Sequence, residues 1–310
     1  MIITVTLNPA VDQTVFVSRL ELGEVNRFRE SQLDPAGKGI NVSRMARRLG
    51  WPTIAFGFLA GEIGLIAEKA LDDEGVQHHF VRVPGQTRLN VTVIDESADT
   101  VTNLYGPGPS IAPVHLRRID DALRFWLQAG RVLVLAGNVP HGVPDAAYAT
   151  YVRLAQAQGV ATIVDADGEA LRLGVEARPS LIKPNLAEAE RLLGRALPDL
   201  PAVVAGAREL VARGVSTVVI SLGARGAVCV QGERAWLAIP PRVERRSTVG
   251  SGDSLVAGLA VALACGRDIV EGLRQGTAAG AATATAPGTA LGAAEQVRAL
   301  RPDVQIEEVS

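Results

Sequence analysis

The chain has 310 residues, of which 47% are hydrophobic and 21% are charged, and this composition excludes a largely disordered protein. Its formal net charge of -2 at pH 7 and its aromatic content of 4% exclude the basic faces and stacking platforms of most nucleic-acid-binding proteins. The 2 cysteines are too few for a disulfide framework. The N-terminal sequence lacks the basic region of an export signal and no apolar run is long enough to cross a membrane, so we expect a cytoplasmic protein without membrane contact.

Short runs rich in β-branched residues alternate with helical patterns along most of the chain. The predicted buried strands are Ile2–Leu7, Arg131–Leu135, Ala161–Val164 and Thr217–Ser221. Helical patterns at Ala146–Gln158 and Pro201–Arg213 precede the last two of these strands. Strands that alternate with helices of this length predict βαβ units, and therefore an α/β fold around a parallel sheet.

Two segments depart from this pattern because their apolar and polar residues alternate. They lie within Gln13–Leu33 and Arg88–Tyr105. Alternation predicts antiparallel strands with one solvated face, and the two segments together could form a small separate sheet. Such a sheet needs a cover, so we expect residues 13–34 and 87–106 to form a lid over a ligand or a surface for a partner subunit.

A glycine-rich turn at Ala36–Ser43 leads into an amphipathic helical pattern. The turn lacks the spacing of a Walker A phosphate loop, so a plain helix start explains it as well as a ligand site does. In a ligand site, Lys38 and Asn41 would be well placed to hold the hydroxyl or phosphate groups of a small molecule.

Asn185 and Glu188 lie three residues apart, just after the apolar segment Ser180–Ile182. This spacing places them on one face of a helix start, where they could organise Mg²⁺ through water molecules. A capping box, in which each side chain accepts the other residue's amide, is the competing interpretation. Asp165 adds a carboxylate at the carboxyl end of a predicted strand, which is where open α/β sheets bind ligands.

The segment Ser221–Gly226 is a strand end followed by a glycine turn. It could lie against nucleotide phosphates. It could equally form a tight hairpin with the apolar residues that follow it.

The strongest pattern is a glycine-rich turn at Ser247–Ser254 that runs directly into an apolar helical segment. Free amides at a helix N-terminus, together with two glycines, form a site for an anion. A carboxylate inside such a site would repel a bound phosphate, so Asp253 suggests a base that takes a proton from a hydroxyl group. A helix cap is an equally good explanation of Asp253 from spacing alone.

Taken together, these residues resemble the ribokinase-like (PfkB) family of carbohydrate kinases. The matching segments, in chain order, are TLNPAVD at Thr6–Asp12, AGKGINVSR at Ala36–Arg44, TRLNV at Thr87–Val91, AGNVPHGVP at Ala136–Pro144, LIKPNLAEAE at Leu181–Glu190, SLGARGA at Ser221–Ala227 and STVGSGDSLVAG at Ser247–Gly258. The resemblance implies one kinase domain over residues 1–310. Its fold would be a three-layer α/β/α sandwich with a mostly parallel central sheet and a small β-sheet lid.

The resemblance also implies roles for individual residues. Asp253 matches the catalytic base, with Gly250, Ser251 and Gly252 as the anion hole. The residues that match the substrate site are Asp12, Gly37, Lys38, Asn41, Arg88, Asn90, Asn138 and Asp253. The residues that match the ATP site are Lys183, Asn185, Ser221, Gly223, Gly226 and Gly252. Asn185 and Glu188, with Asp165, would organise Mg²⁺ through water.

Lys38 bears on which branch of the family the chain resembles, and two further residues depart from the usual family pattern. Lys38 favours the branch of 1-phosphofructokinases and tagatose-6-phosphate kinases, because the minor 6-phosphofructokinases tend to have glycine there. Ser251 and Asn138 stand where the family usually has alanine and serine, and Asn138 could shift the substrate preference if it touches the sugar phosphate.

The resemblance therefore implies ATP-dependent phosphorylation of D-fructose 1-phosphate at its 6-hydroxyl. Tagatose 6-phosphate and fructose 6-phosphate remain alternative substrates, and a non-catalytic sugar-phosphate sensor is the alternative from another class. A monovalent cation could be a further cofactor. We also expect a homodimer formed through the lid, in which Arg27 reaches the substrate of the neighbouring subunit.

Overall fold

Fourteen strands and ten helices form the fold in the computed structural model, which describes residues 1–310. The strands are β1 (Ile2–Thr6), β2 (Ala10–Val17), β3 (Glu30–Ala36), β4 (Thr53–Leu59), β5 (Gln77–Arg82), β6 (Arg88–Asp95), β7 (Thr100–Tyr105), β8 (Val132–Ala136), β9 (Ala161–Asp165), β10 (Leu181–Ile182), β11 (Thr217–Ser221), β12 (Ala227–Gln231), β13 (Arg234–Ile239) and β14 (Gln305–Val309). The helices are α1 (Lys38–Arg48), α2 (Gly61–Asp73), α3 (Pro113–Trp126), α4 (Ala147–Gln156), α5 (Gly168–Glu176), α6 (Leu186–Leu193), α7 (Leu200–Ala212), α8 (Ser251–Ala264), α9 (Ile269–Ala284) and α10 (Ala294–Leu300). None of these helices combines the length and apolar character needed to cross a membrane.

The larger sheet has ten strands in the order β14-β13-β12-β11-β10-β9-β8-β1-β4-β5. The strands from β11 to β5 in this order are parallel, and β12, β13 and β14 extend one edge in antiparallel fashion. The chain starts inside the sheet at β1, which pairs with β4 on one side and with β8 on the other. The strand order thus reverses beside β1, and a reversal of this kind leaves a crevice for ligands at the carboxyl ends of the strands.

Successive residues of the central strands face two separate hydrophobic cores. Ile3 and Val5 of β1 belong to a cluster of 42 buried residues, which also contains side chains from α3, α4, α5 and α7. Ile2 belongs to a second cluster of 28 buried residues, shared with α1, α8, α9 and α10. The sheet therefore lies between two helical layers, and the predicted three-layer α/β/α fold with a mostly parallel sheet is confirmed.

The second sheet has four strands in the order β3-β2-β6-β7 and contains the two alternating segments. β2 pairs antiparallel with β3, as does β6 with β7, but β2 and β6 are parallel. The prediction of antiparallel strands is therefore wrong for this central pair. Because β2 and β6 come from distant parts of the chain, no hairpin turn sets their relative direction. Their register places Asp12 opposite Asn90.

Candidate active site

The carboxyl ends of the parallel strands bring several predicted site residues to one edge of the larger sheet. Asn138 follows β8, Asp165 ends β9, Lys183 follows β10 and Ser221 ends β11. The first residue of α1 reaches the same edge, because Lys38 Nζ lies 2.9 Å from Asp165 Oδ1. Residues from five elements that are distant in sequence thus lie along one edge of the sheet, and Lys38 and Lys183 both face Asp165 there.

Asp253 lies in the first turn of α8, but it does not cap that helix. The N-cap residue is Gly250, and no side chain accepts a hydrogen bond from the first amides of α8. The carboxylate of Asp253 instead accepts a hydrogen bond of 2.8 Å from Nδ2 of Asn41. The capping interpretation of Asp253 is therefore wrong, and the amides of the first turn are left without a side-chain partner.

Gly250 and Gly252 leave space that other residues would fill. Gly250 has a φ of 76°, and a Cβ atom there would lie 2.8 Å from Cδ2 of Leu291. A Cβ atom on Gly252 would lie 3.4 Å from Nζ of Lys183. Ser251 between them has a buried hydroxyl without a hydrogen-bond partner, so its side chain does not block the backbone amides.

The surroundings of Asp253 set its proton affinity. Burial raises the pKa of Asp253 to about 6, and the charge of Asp165 adds to this increase. Lys38, Asn41 and Lys183 oppose it. A carboxyl group with this pKa is ionised at neutral pH and is more basic than an ordinary aspartate, which suits a general base.

Asp165 lies between two lysines. Its Oδ1 faces Nζ of Lys38 at 2.9 Å, and its Oδ2 faces Nζ of Lys183 at 3.4 Å. Burial alone would raise the pKa of Asp165, but the two ammonium groups lower it below its ordinary value. Burial likewise would lower the pKa of Lys38, but Asp165 and Glu188 outweigh it and raise that pKa. Asp165 and Lys38 are therefore both charged at neutral pH. Both oxygens of Asp165 face ammonium groups, so any role toward magnesium would run through water, as the resemblance implies.

Asn185 and Glu188 form a capping box at the start of α6. The Asn185 amide donates to Oε2 of Glu188, and the Glu188 amide donates to Oδ1 of Asn185, each at 2.8 Å. The capping alternative is thus confirmed. The capping box leaves Oε1 of Glu188 without a hydrogen bond, 3.6 Å from Nζ of Lys38. This oxygen can therefore still bind a ligand.

A second group of predicted substrate residues lies on the small sheet. Asn90 donates a hydrogen bond of 2.8 Å to Oδ1 of Asp12. Burial raises the pKa of Asp12, while Asn90 and the nearby charge of Arg88 oppose that rise. The Nε atom of Arg88 is buried and has no hydrogen-bond partner, so this guanidinium retains donors for a ligand.

The remaining predicted substrate residues differ in their surroundings. Gly37 has a φ of 121°, and a Cβ atom there would lie 2.8 Å from Cγ2 of Thr6, so the turn before α1 needs glycine. Asn138 is exposed on the loop after β8. Arg27 is exposed on the connection between β2 and β3.

A cavity of about 590 Å³ lies next to the first turn of α8. Four predicted ATP residues line it, namely Ser221, Gly223, Gly226 and Gly252, whereas Lys183 and Asn185 do not. β11 and β12 pair antiparallel, so the hairpin alternative for Ser221–Gly226 is confirmed. The turn of this hairpin also lines the cavity, so the two interpretations of the segment are compatible. A volume of this size suits a nucleotide or another small molecule.

The sequence patterns missed two walls of this cavity. The first includes Pro240, Arg242 and Val243 in the loop after β13. The second is one face of α9, formed by Gly276, Thr277, Gly280, Ala281 and Ala284. The spacing of these small residues at intervals of about four could have revealed a helix face that leaves room for a ligand.

Comparison with known proteins decides the family. Residues 5–296 match the family described as pfkB family carbohydrate kinase. The chain belongs to the pfkB family of carbohydrate kinases. Among pfkB relatives, the 1-phosphofructokinase of Rhodobacter capsulatus is 41% identical over 278 residues, which are 89% of this chain and 88% of the relative. The 1-phosphofructokinase of Escherichia coli K12 is 34% identical over 305 residues, which are 98% of this chain and 97% of the relative.

Solved pfkB structures share the whole architecture. The phosphofructokinase-2 of Escherichia coli, in complex with substrates and products, superposes with a TM-score of 0.93 at 31% identity and covers 97% of this chain and 98% of its own. Other structures of that enzyme contain fructose-6-phosphate or potassium, and one is a tetrameric inhibited form. The family assignment and the shared fold make this chain a kinase of carbohydrates.

Proposed function

We propose that this pfkB kinase transfers the γ-phosphoryl group of ATP to the 6-hydroxyl of D-fructose 1-phosphate. The observation that carries the proposal is the placement of Asp253, which is buried in the first turn of α8, held by Asn41 and adjacent to a nucleotide-sized cavity. The two relatives named 1-phosphofructokinase support the choice of substrate. A protein that only senses sugar phosphates would not need a buried carboxylate with a raised pKa next to this cavity.

In this mechanism Asp253 accepts the proton of the 6-hydroxyl as its oxygen bonds to the γ-phosphorus. The bond from that phosphorus to the bridging oxygen breaks, and ADP leaves with the electron pair. The free amides of Gly250 and Gly252 and the dipole of α8 point positive charge at the transferred group. Closure of the small sheet, which carries Asp12, as a lid over the cleft would exclude water from the reaction.

The residues fit a magnesium ion that arrives with the nucleotide. No three acidic, histidine or cysteine side chains come together in this protein as a metal cage. Mg²⁺ on a nucleotide needs only one or two protein carboxylates, and Oε1 of Glu188, with Asn185 beside it, fits that need. When bound, the ion would neutralise phosphate charge. The potassium in the Escherichia coli relative leads us to propose a monovalent cation as a further cofactor.

A coupled assay of ADP release tests the proposed function. Fructose 1-phosphate, tagatose 6-phosphate and fructose 6-phosphate are compared by kcat/KM with magnesium, in potassium and in sodium buffers. We expect fructose 1-phosphate to be preferred. A preference for either of the other two sugars would support the kinase activity but contradict the proposed substrate. Binding of ATP without turnover of any of the three sugars would contradict the proposed function and favour the sensor.

Arg88→Ala tests the substrate site on the small sheet. We propose that its guanidinium binds the phosphate that the sugar already carries, because its Nε is buried without a partner beside Asp12. Loss of a charge-assisted hydrogen bond costs about 1.5 to 3 kcal/mol, so KM for the sugar phosphate should rise by about 10- to 100-fold. The KM for ATP should stay the same. Steady-state kinetics measure both values, and an unchanged KM for the sugar phosphate would refute the contact.

We further propose that the small sheet pairs with that of a second copy of this chain. The exposed apolar side chains on this sheet or its connecting loop are Leu22, Val25, Phe28, Leu33, Val101, Leu104 and Tyr105. An apolar surface of this kind is typical of an interface, and Arg27 on the same loop would then point to the neighbour. Sedimentation should give the mass of a dimer or a higher oligomer, and Leu22→Glu with Val25→Glu should reduce that mass. A monomeric wild-type protein would contradict the pairing.

A further inference from the structure

The environment of Lys38 differs from that of Arg88, although both match substrate positions of the family. The charged neighbours of Lys38 are Asp165, Glu188 and Asp253. The carboxylate neighbour of Arg88 is Asp12. Lys38 thus lies among the carboxylates around Asp253, whereas Arg88 lies beside Asp12 on the small sheet.

The buried carboxylate of Asp165 fixes two ammonium groups at once. It is fully buried, and its two oxygens face Lys38 at 2.9 Å and Lys183 at 3.4 Å. A lysine that loses such a partner can adopt many rotamers, whereas two amines on one buried carboxylate are held at a set spacing. The result is a pair of cations at the carboxyl edge of the sheet.

Both ammonium groups are near the path of the transferred group. Nζ of Lys183 lies 3.4 Å from the place that a Cβ atom on Gly252 would take, which puts it against the first turn of α8. Lys38 begins α1 and shares its face with Asn41 three residues later, and Asn41 holds Asp253. The pair is therefore next to both the free amides and the carboxylate that receives the proton.

We propose that Lys38, held in position by Asp165, binds the phosphoryl group during its transfer, together with Lys183. The proposal rests on the proposed kinase function. The amine stays protonated throughout: the proton of the 6-hydroxyl goes to Asp253, and the electron pair of the broken bond goes to ADP. Lys38 is thus a catalytic residue for the γ-phosphoryl group, and Asp165 is a positioning residue.

Lys38→Gln separates this role from a role in holding the phosphate of the sugar. At pH 8, where Asp253 is ionised, kcat should fall by about 10²-fold, the loss typical of one donor to transition-state charge. The Kd of the sugar phosphate, measured without nucleotide, should change by less than about twofold. The preference for the β,γ-imido analogue of ATP over ADP should fall by about tenfold, because only the former carries a γ-phosphoryl group. Lys69→Gln, which changes an exposed lysine on α2, is the matched control.

The same measurements can overturn the proposal. A higher Kd for the sugar phosphate with unchanged kcat would assign Lys38 to the substrate phosphate instead. If kcat and the nucleotide preference of the Lys38→Gln protein are unchanged, the ion pair between Lys38 and Asp165 has only a structural role. The Asp165→Asn protein should lose the preference for the β,γ-imido analogue over ADP, as the Lys38→Gln protein does. Its far-ultraviolet circular dichroism should match that of the wild type, which shows that it is folded. If the wild-type protein turned over no sugar phosphate, the proposed function would fail, but the comparison of analogue with ADP would still test Lys38.

Discussion

Asp253→Asn is expected to lower kcat by about 10²- to 10⁴-fold, which is the usual contribution of a positioned general base. The asparagine oxygen can still accept the hydrogen bond from Asn41, so the first turn of α8 should keep its shape. Binding of ATP and of the sugar phosphate should therefore change little. Single-turnover kinetics and calorimetric titration measure the two effects. Joint loss of binding and of folded protein would instead make the carboxylate a structural group.

The same variant should be more stable than the wild type at neutral pH. Burial raises the pKa of Asp253 from 3.8 to about 6. The stabilisation that comes from the protonated carboxyl group is fully present below the pKa of the unfolded state. It is lost as pH rises through the pKa of the folded state, and it does not return at higher pH. Asparagine avoids this loss, which amounts to at most about 3 kcal/mol at 1.36 kcal/mol for each pKa unit. The excess thermal stability of the variant at pH 7.5 should disappear near pH 4.

The raised pKa also predicts the pH dependence of the wild-type reaction. Below pH 6 the carboxyl group of Asp253 becomes protonated and can no longer accept the proton of the 6-hydroxyl. We therefore expect kcat/KM to fall about tenfold for each pH unit in that range. An exposed aspartate would place this decline about two units lower. Asp73→Asn, on the exposed end of α2, should leave both the rate profile and the melting profile unchanged.

Local periodicity was sufficient to predict most of the architecture. Buried parallel strands such as Val132–Ala136 are continuous apolar runs, and short helices between them leave few possible arrangements. The parallel pairing of β2 with β6 could not be predicted in this way, because alternation shows which face of a strand is buried but not which strand lies beside it. Strand neighbours depend on contacts between distant segments, and no local pattern records them.

The candidate site shows the same limit. Glycine turns located the first turn of α8 and the hairpin beside the cavity, since both need backbone conformations that few residues adopt. Spacing alone could not show that Asn41 reaches Asp253, or that Asp165 lies between Lys38 and Lys183, because these partners are far apart in the chain. The charge on each group is set by those partners. The sequence therefore indicated which residues belong to the site but not how they share its protons and charges.

Gly258→Ala is expected to destabilise the protein by about 2 kcal/mol or more, although alanine favours helices by about 1 kcal/mol over glycine. A Cβ atom at this position of α8 would lie 2.3 Å from both Cα and N of Gly276 in α9. Because these are backbone atoms, no side chain can turn away, and the two helices must move apart. Denaturant unfolding measures the change in the free energy of unfolding.

Gly174→Ala is the matched control, because its new Cβ atom would meet a side-chain methyl group of Val164 at 3.2 Å in place of backbone. It should be close to neutral in stability. Separation of α8 from α9 should also raise KM for ATP, since α8 carries Gly252 and α9 supplies one wall of the cavity. A Gly258→Ala protein with wild-type stability and KM would mean that the helix contact is dispensable. The expected result would mean that the glycines of α8 and α9 hold the base and the nucleotide cavity at a fixed distance.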